Sequence, residues 1–143
     1  MLLNEGKIRV LVVDDHAAMR EGLNAMLNVQ PDMIMAGEAS DGQEAIQQFR
    51  NLQPDVSLLD WNLPKVSGEE VLATLGAEFP KARFIVISAI NSDDCIRRAL
   101  SLGAQAYLHK DMLRRALLSA IRAVHRGQQY VPDEIAKRLN KRR

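Results

Sequence analysis

Asp14-Asp15, Asp60, Ser88 and Lys110 are the residues whose types suit chemistry, and each stands at the end of an apolar run. Three carboxylates, a hydroxyl and an ammonium are the parts that phosphoryl transfer needs. A carboxylate can attack phosphorus and form an acyl phosphate. The transition state spreads negative charge over the equatorial oxygens, so the remaining groups have to position and neutralise it. Clustered carboxylates repel one another unless a cation lies among them, and all-oxygen ligation with room for water and a phosphate oxygen suits Mg²⁺. In this scheme Asp14 and Asp15 anchor the metal and Asp60 shares it. The Lys110 ammonium and the Ser88 hydroxyl take the other phosphoryl oxygens.

Each residue also has a plainer reading. Asp14-Asp15 suits a helix cap with a solvated neighbour, Ser88 a strand-end hydroxyl, and Lys110 a surface charge. What weighs against these readings is the joint placement, since ligands in open α/β sheets sit outside the carboxyl ends of the strands.

The elements that would position these groups follow from periodicity. Ile8 to Val13, followed by Asp14-Asp15, and Asp55 to Asp60 are apolar-rich runs that end in acid, and Arg83 to Ser88 is a third apolar run that ends in a hydroxyl. Runs of this length and continuity suit strands buried on both faces of a parallel sheet. Met33 to Ala39 and Gln105 to His109 are two shorter strands. Between them come helices with Leu23, Met26 and Leu27, then Ala45, Ile46 and Phe49, then Val71, Leu72 and Leu75, each set on one face. Asp41 with Glu44 and Ser67 with Glu70 have the spacing of helix caps, and Asn91 to Asp94 can cap a fourth helix carrying Ile96, Ala99 and Leu100. Asp111 opens a long fifth helix, with Leu113, Leu117, Ile121 and Val124 inward and Gly127 at its close. A further helix begins near Pro132 and runs into the basic stretch Lys137 to Arg143. Alternating strands and helices argue for a parallel sheet covered on both faces by right-handed crossovers.

Composition limits the alternatives. At 143 residues, 47% apolar and 26% charged with a net charge of +1, the chain suits one globular domain with a short appendage. The balance of charge does not mark the whole chain as a nucleic-acid binder. Cys95 has no cysteine partner for an internal disulfide and fits a reducing compartment. No stretch is long and apolar enough to span a membrane, and the cytoplasm is the expected location.

Four phrases together resemble bacterial response-regulator receiver domains: Val12-Val13-Asp14-Asp15-His16, Leu59-Asp60-Trp61-Asn62-Leu63-Pro64 with Gly68, Ile87-Ser88-Ala89, and Tyr107-Leu108-His109-Lys110. The resemblance covers roughly residues 7 to 127. Asp-Asp-His-Ala-Ala-Met-Arg-Glu-Gly-Leu23 and Arg-Ala-Val-His-Arg-Gly-Gln-Gln-Tyr-Val131 look more narrowly like the NarL/FixJ (LuxR-type) subfamily of transcription regulators. The resemblance implies a flavodoxin-like (βα)5 doubly wound fold with strand order 2-1-3-4-5, the order known for such receivers. It also implies a receiver over residues 1–127, and a linker helix over 128–143 leading to a helix-turn-helix output domain that this stretch is too short to hold.

By the same resemblance Asp60 is the phospho-acceptor, supplied from a phosphohistidine on a sensor histidine kinase. Asp14, Asp15, Asp60 and the Asn62 backbone carbonyl hold Mg²⁺. Ser88 and Tyr107 form a switch pair, the hydroxyl moving onto the phosphate and the ring turning inward to alter the face made by helix four, strand five and helix five. The chain would catalyse only its own phosphorylation and dephosphorylation, turning over no separate metabolite. A homodimer on phosphorylation fits the family, and DNA is reached only through the output domain.

Some positions depart from the pattern. Leu63 replaces a common methionine of similar size, Asp111 stands where many receivers have proline, and bulky Trp61 next to the acceptor is expected to narrow access to it. Tyr107 also has a reading as plain core, since an aromatic in a strand needs no special reason. His16, at a loop-helix junction, is expected to be solvated, and His109 and His125 are given no role.

Three rivals remain. A phosphohydrolase of the haloacid dehalogenase type would need a second aspartate two residues after the nucleophile, where this chain has Asn62. A phosphate-independent adaptor would have no use for the intact acidic set. DNA contact by the basic tail would give strongly salt-dependent affinity.

Overall fold

The computed structural model describes residues 6–90 and 92–141. Five strands, β1 (Ile8–Val13), β2 (Met33–Ala39), β3 (Val56–Asp60), β4 (Phe84–Ser88) and β5 (Ala106–His109), form one parallel sheet in the order β2-β1-β3-β4-β5. This is the flavodoxin-like order that the resemblance implied. The β3 and β4 strands are buried along their whole length, as an unbroken apolar run in the centre of a two-sided sheet should be.

The helices between them are α1 (Ala17–Asn28), α2 (Gly42–Leu52), α3 (Gly68–Glu78), α4 (Asp93–Ser101) and α5 (Leu113–His125). The caps read from the sequence form at two helices. Asp41 Oδ1 accepts from the Glu44 amide at 2.8 Å, and Ser67 Oγ accepts from the Glu70 amide at 3.2 Å. At α4 the capping side chain is Ser92, while Asn91 lies outside the described residues. The fifth helix departs slightly from expectation. Lys110–Met112 form a 3₁₀ turn first, with the His109 ring accepting from the Asp111 amide, so α5 proper begins at Leu113.

Helices α1 and α5 pack on one face of the sheet, with α2 and α4 on the other, α3 lying against α2. Leu23 and Leu27 of α1, Phe49 of α2, Leu72 and Leu75 of α3, Ile96 of α4 and Leu117 and Ile121 of α5 are buried against the strands. Each such side chain contributes about 2 kcal/mol of burial. Among the described residues no helix is long and apolar enough to cross a membrane.

After α5 the chain turns at Gly127, where φ is +84° and a side chain would be strained. It returns along the outer edge of β5, where Tyr130 bridges Ala106 in parallel, and enters a further helix, α6 (Asp133–Lys141). Pro132 sits at its start, its carbonyl accepting from the amides of Ile135 and Ala136 at 2.9 Å each. Arg142 and Arg143 of the basic tail lie outside the described residues.

Candidate functional site

Strand register brings the acids together. Val13 on β1 is paired with Leu59 on β3, so the next residue on each strand, Asp14 and Asp60, are neighbours at the carboxyl edge. Asp60 is in turn paired with Ile87 on β4, and Ile87 with Leu108 on β5, which brings Ser88 and Lys110 to the same edge. Among the described residues the buried polar ones are Asp14, Ser57, Asp60 and Ser88, and all but Ser57 stand at this edge.

Lys110 Nζ lies 3.3 Å from Asp14 Oδ2 and 3.4 Å from Asp60 Oδ2. The other oxygen of each acid has a separate partner. Asp60 Oδ1 accepts from the Asn62 amide at 3.1 Å, and Asp14 Oδ1 accepts from the His16 amide at 2.8 Å. Burial and the adjacent Asp14 push the Asp60 carboxyl up to about 6, with the Asn62 amide and Lys110 pulling the other way. Burial works against the Lys110 charge, yet Asp60 and Asp14 outweigh it and hold the ammonium above its usual range.

Ligand atoms of Asp14, Asp15, His16 and Asp60 all lie within 4.8 Å of one another. Carboxylates this close, one of them 3% exposed and titrating well above its ordinary range, are undercompensated by a single lysine. A hard divalent cation with oxygen preference fits that set.

His16 was expected to be solvated, and its side chain is 68% exposed. Its Nδ1 nevertheless lies 3.1 Å from both Asp14 Oδ1 and Asp15 Oδ1, so it belongs to the cluster. Its adjacency to the paired acids was the available signal. Arg20 gave none: it donates to the Asp14 carbonyl at 2.8 Å and to Glu38 at 2.7 Å, tying α1 to the ends of β1 and β2.

Ser88 and Tyr107 share one face of the sheet. Tyr107 is paired with Val86, two residues before Ser88, and side chains two apart on a strand point the same way. Tyr107 is fully buried, and its hydroxyl donates to the Ile90 carbonyl at 3.0 Å. The Ser88 hydroxyl accepts from the Ile90 amide at 2.9 Å, so both members of the pair grip the same loop residue. His109, given no role from sequence, lies with its Nε2 3.0 Å from the Ala89 carbonyl in that loop. Trp61 is 7% exposed and packed into the core. An apolar groove between α1 and α5, lined by Met19, Leu23, Met26 and Leu113, opens beside His16 and Lys110.

The response regulator receiver domain model matches residues 10–122. This chain belongs to that family. As a receiver, it is 32% identical to the transcriptional regulatory protein DegU of Brevibacillus brevis over 97% of its own length and 59% of that protein. It is 33% identical to the nitrate/nitrite response regulator NarL of Escherichia coli K12, over 92% of this chain and 61% of the relative. A solved two-component response regulator of the LuxR family from Aurantimonas sp. SI85-9A1 superposes with a TM-score of 0.90 at 26% identity, covering 95% of this chain and 97% of that one. These relatives place the receiver in the NarL/LuxR subfamily, whose members regulate transcription. The chain spans about three fifths of the length of the two curated relatives.

Proposed function

We propose that this receiver is the phosphoryl-accepting switch of a two-component relay, with Asp60 as acceptor. The observation that carries this reading is the bridging of Lys110 between Asp14 and Asp60 at one buried edge. An Asp60 oxygen attacks the phosphorus of a phosphohistidine, the P–N bond breaks, and the imidazole leaves with the electron pair. The Asn62 amide holds Oδ1 and orients the carboxylate, while Lys110 neutralises charge that builds on the phosphoryl oxygens. Asp14, Asp15, Asp60 and the Asn62 backbone carbonyl would hold Mg²⁺, which when bound supplies further neutralisation of the phosphoryl charge. Asn62 in place of a second catalytic aspartate supports acceptance of a phosphoryl group over turnover of a phosphomonoester.

The groove between α1 and α5 gives a sensor histidine kinase an apolar surface within reach of the acceptor. Ser88 then turns toward the phosphoryl group, and Tyr107 with the Ile90 loop transmits the change to the face made by α4, β5 and α5. The receiver proper is residues 1–127, followed by a linker segment, 128–143, that contains α6. Output through DNA would belong to a helix-turn-helix domain beyond these residues, with dimerisation on phosphorylation serving it. The pairing of Arg138 with Asp93 gives part of the basic tail an intramolecular task, which weakens the reading of that tail as a DNA contact.

Acetyl phosphate with Mg²⁺ is expected to add one hydroxylamine-labile phosphoryl group, read by intact mass and lost in Asp60→Asn. Label persisting in Asp60→Asn would move the acceptor elsewhere.

A further inference from the structure

The α6 helix lies on the face that α4, β5 and α5 make. Ile135 is buried at 1% exposure. Arg138 Nη2 pairs with Asp93 Oδ1 at 2.6 Å, at the first residue of α4. Arg97 of α4 donates to the Leu139 carbonyl at 2.8 Å, and Arg115 of α5 pairs with Glu134 at 2.6 Å. The Tyr130 amide donates to the Gln105 carbonyl at 2.8 Å, anchoring the approach to α6 along the edge of β5. All three elements of the face therefore hold α6 or the segment leading into it. An isolated nine-residue helix has little stability of its own in water, so these contacts are what keep it folded.

The same contacts converge on the Tyr107 loop. Tyr107 holds the Ile90 carbonyl, and Arg138 grips Asp93, three positions further along the chain at the start of α4. Burial pushes the Tyr107 phenol above its usual range, and the Arg138 guanidinium is close enough to pull against that shift. A docked α6 therefore coexists here with the inward tyrosine and the loop position that the inward tyrosine fixes.

We propose that α6 is a built-in strap for the phosphorylated form, docking most firmly when Tyr107 is inward and Ile90 and Asp93 are held. This rests on the reading of Asp60 as acceptor and of Ser88 and Tyr107 as the switch. Linkage makes the coupling reciprocal, so phosphorylation tightens α6 and a docked α6 favours the phosphorylated state. While α6 is docked, the α4–β5–α5 face is covered, and a dimer would have to form elsewhere.

The test is amide hydrogen exchange of residues 133–141 in the whole chain, with and without beryllium fluoride and Mg²⁺ as the phosphoryl mimic. Occupancy is read separately from Trp61 fluorescence, next to the acceptor. Protection of α6 is expected to rise about tenfold on binding, within the usual span of coupling between sites. Arg138→Gln is expected to lower protection, remove the rise and weaken beryllofluoride affinity by a similar factor. Glu134→Gln cuts the other clasp and leaves Arg138 in place, and it is expected to act in the same direction. Beryllofluoride binding seen at Trp61 with unchanged α6 exchange, or unchanged affinity in Arg138→Gln, would overturn the strap. Failure of the mimic to bind at all would remove the acceptor reading, and the strap with it.

Discussion

Lys110 Nζ faces Asp60 Oδ2 at 3.4 Å, the oxygen that the Asn62 amide leaves untouched. One oxygen of the acceptor is thus fixed by backbone, and the other faces the ammonium of a side chain. This division suits a carboxylate that keeps its orientation while its free oxygen forms a bond. It also suits a lysine that moves from carboxylate to phosphoryl oxygen without leaving the site.

Lys110→Ala is therefore expected to slow acetyl phosphate labelling by on the order of 10²-fold, the usual loss for one charge-stabilising donor. The fold should survive, because the lysine side chain is only partly buried. The check is a labelling time course by intact mass beside a circular dichroism spectrum. Wild-type rates in Lys110→Ala would leave the lysine a purely structural ion pair.

Asp60 binds its proton more tightly in the folded chain, with a pKa of about 6 against 3.8 for the ordinary carboxyl. Folded protein therefore holds more protons than unfolded between those values, and stability falls as pH rises through them. The loss, complete above about pH 7, is on the order of 3 kcal/mol. Asp60→Asn should lack this loss, so its stability advantage over wild type should grow from pH 4 to pH 7 in urea titrations with EDTA. Mg²⁺ should then stabilise wild type more than the variant, by mass action on the folded state. A difference between the two chains that is flat with pH would contradict the burial argument.

Gly68 presses on the backbone of the acceptor strand. A Cβ there would stand 2.5 Å from the Asp60 carbonyl oxygen and 2.7 Å from Trp61 Cα, and backbone atoms cannot rotate out of the way. Gly68→Ala is expected to cost about 1–3 kcal/mol, as overpacking does, and to slow labelling by displacing Asp60. Thermal unfolding and labelling rate should fall together, and a normal rate in a destabilised variant would show that the acceptor end of β3 is insulated from the turn.

Ser57 Oγ is buried within β3 and has no hydrogen-bond partner among the described residues. An unpaired buried hydroxyl costs about 1–3 kcal/mol of desolvation. Ser57→Ala removes that cost at little loss of volume, so it is expected to leave stability unchanged or raise it by up to about 1 kcal/mol. Denaturant midpoints would decide it, and a marked loss would mean that the hydroxyl has a partner that moves in.

The sequence by itself determined the elements and the inventory of the site. Apolar runs of strand length ending in acid or hydroxyl, caps at Asp41 and Ser67, and helical spacing from Leu23 to Val124 are local signals, and local steric and hydrogen-bonding rules are enough to read them. The four phrases around Asp14, Asp60, Ser88 and Lys110 likewise carried the family and, through it, the strand order. Tertiary structure alone decided which groups touch. Register set Asp14 beside Asp60 across 46 positions of chain, as in the pairing of Val13 with Leu59. It also put His16 Nδ1 between two carboxylates and gave Arg122 its partner Asp32, 90 positions away. The docking of α6 on α4 and α5 is of the same kind. A nine-residue basic helix reads as a solvated tail until the face that buries Ile135 and the carboxylate that meets Arg138 have been assembled from three other elements. Contacts between distant segments depend on crossover and register, which a local pattern of residues does not encode.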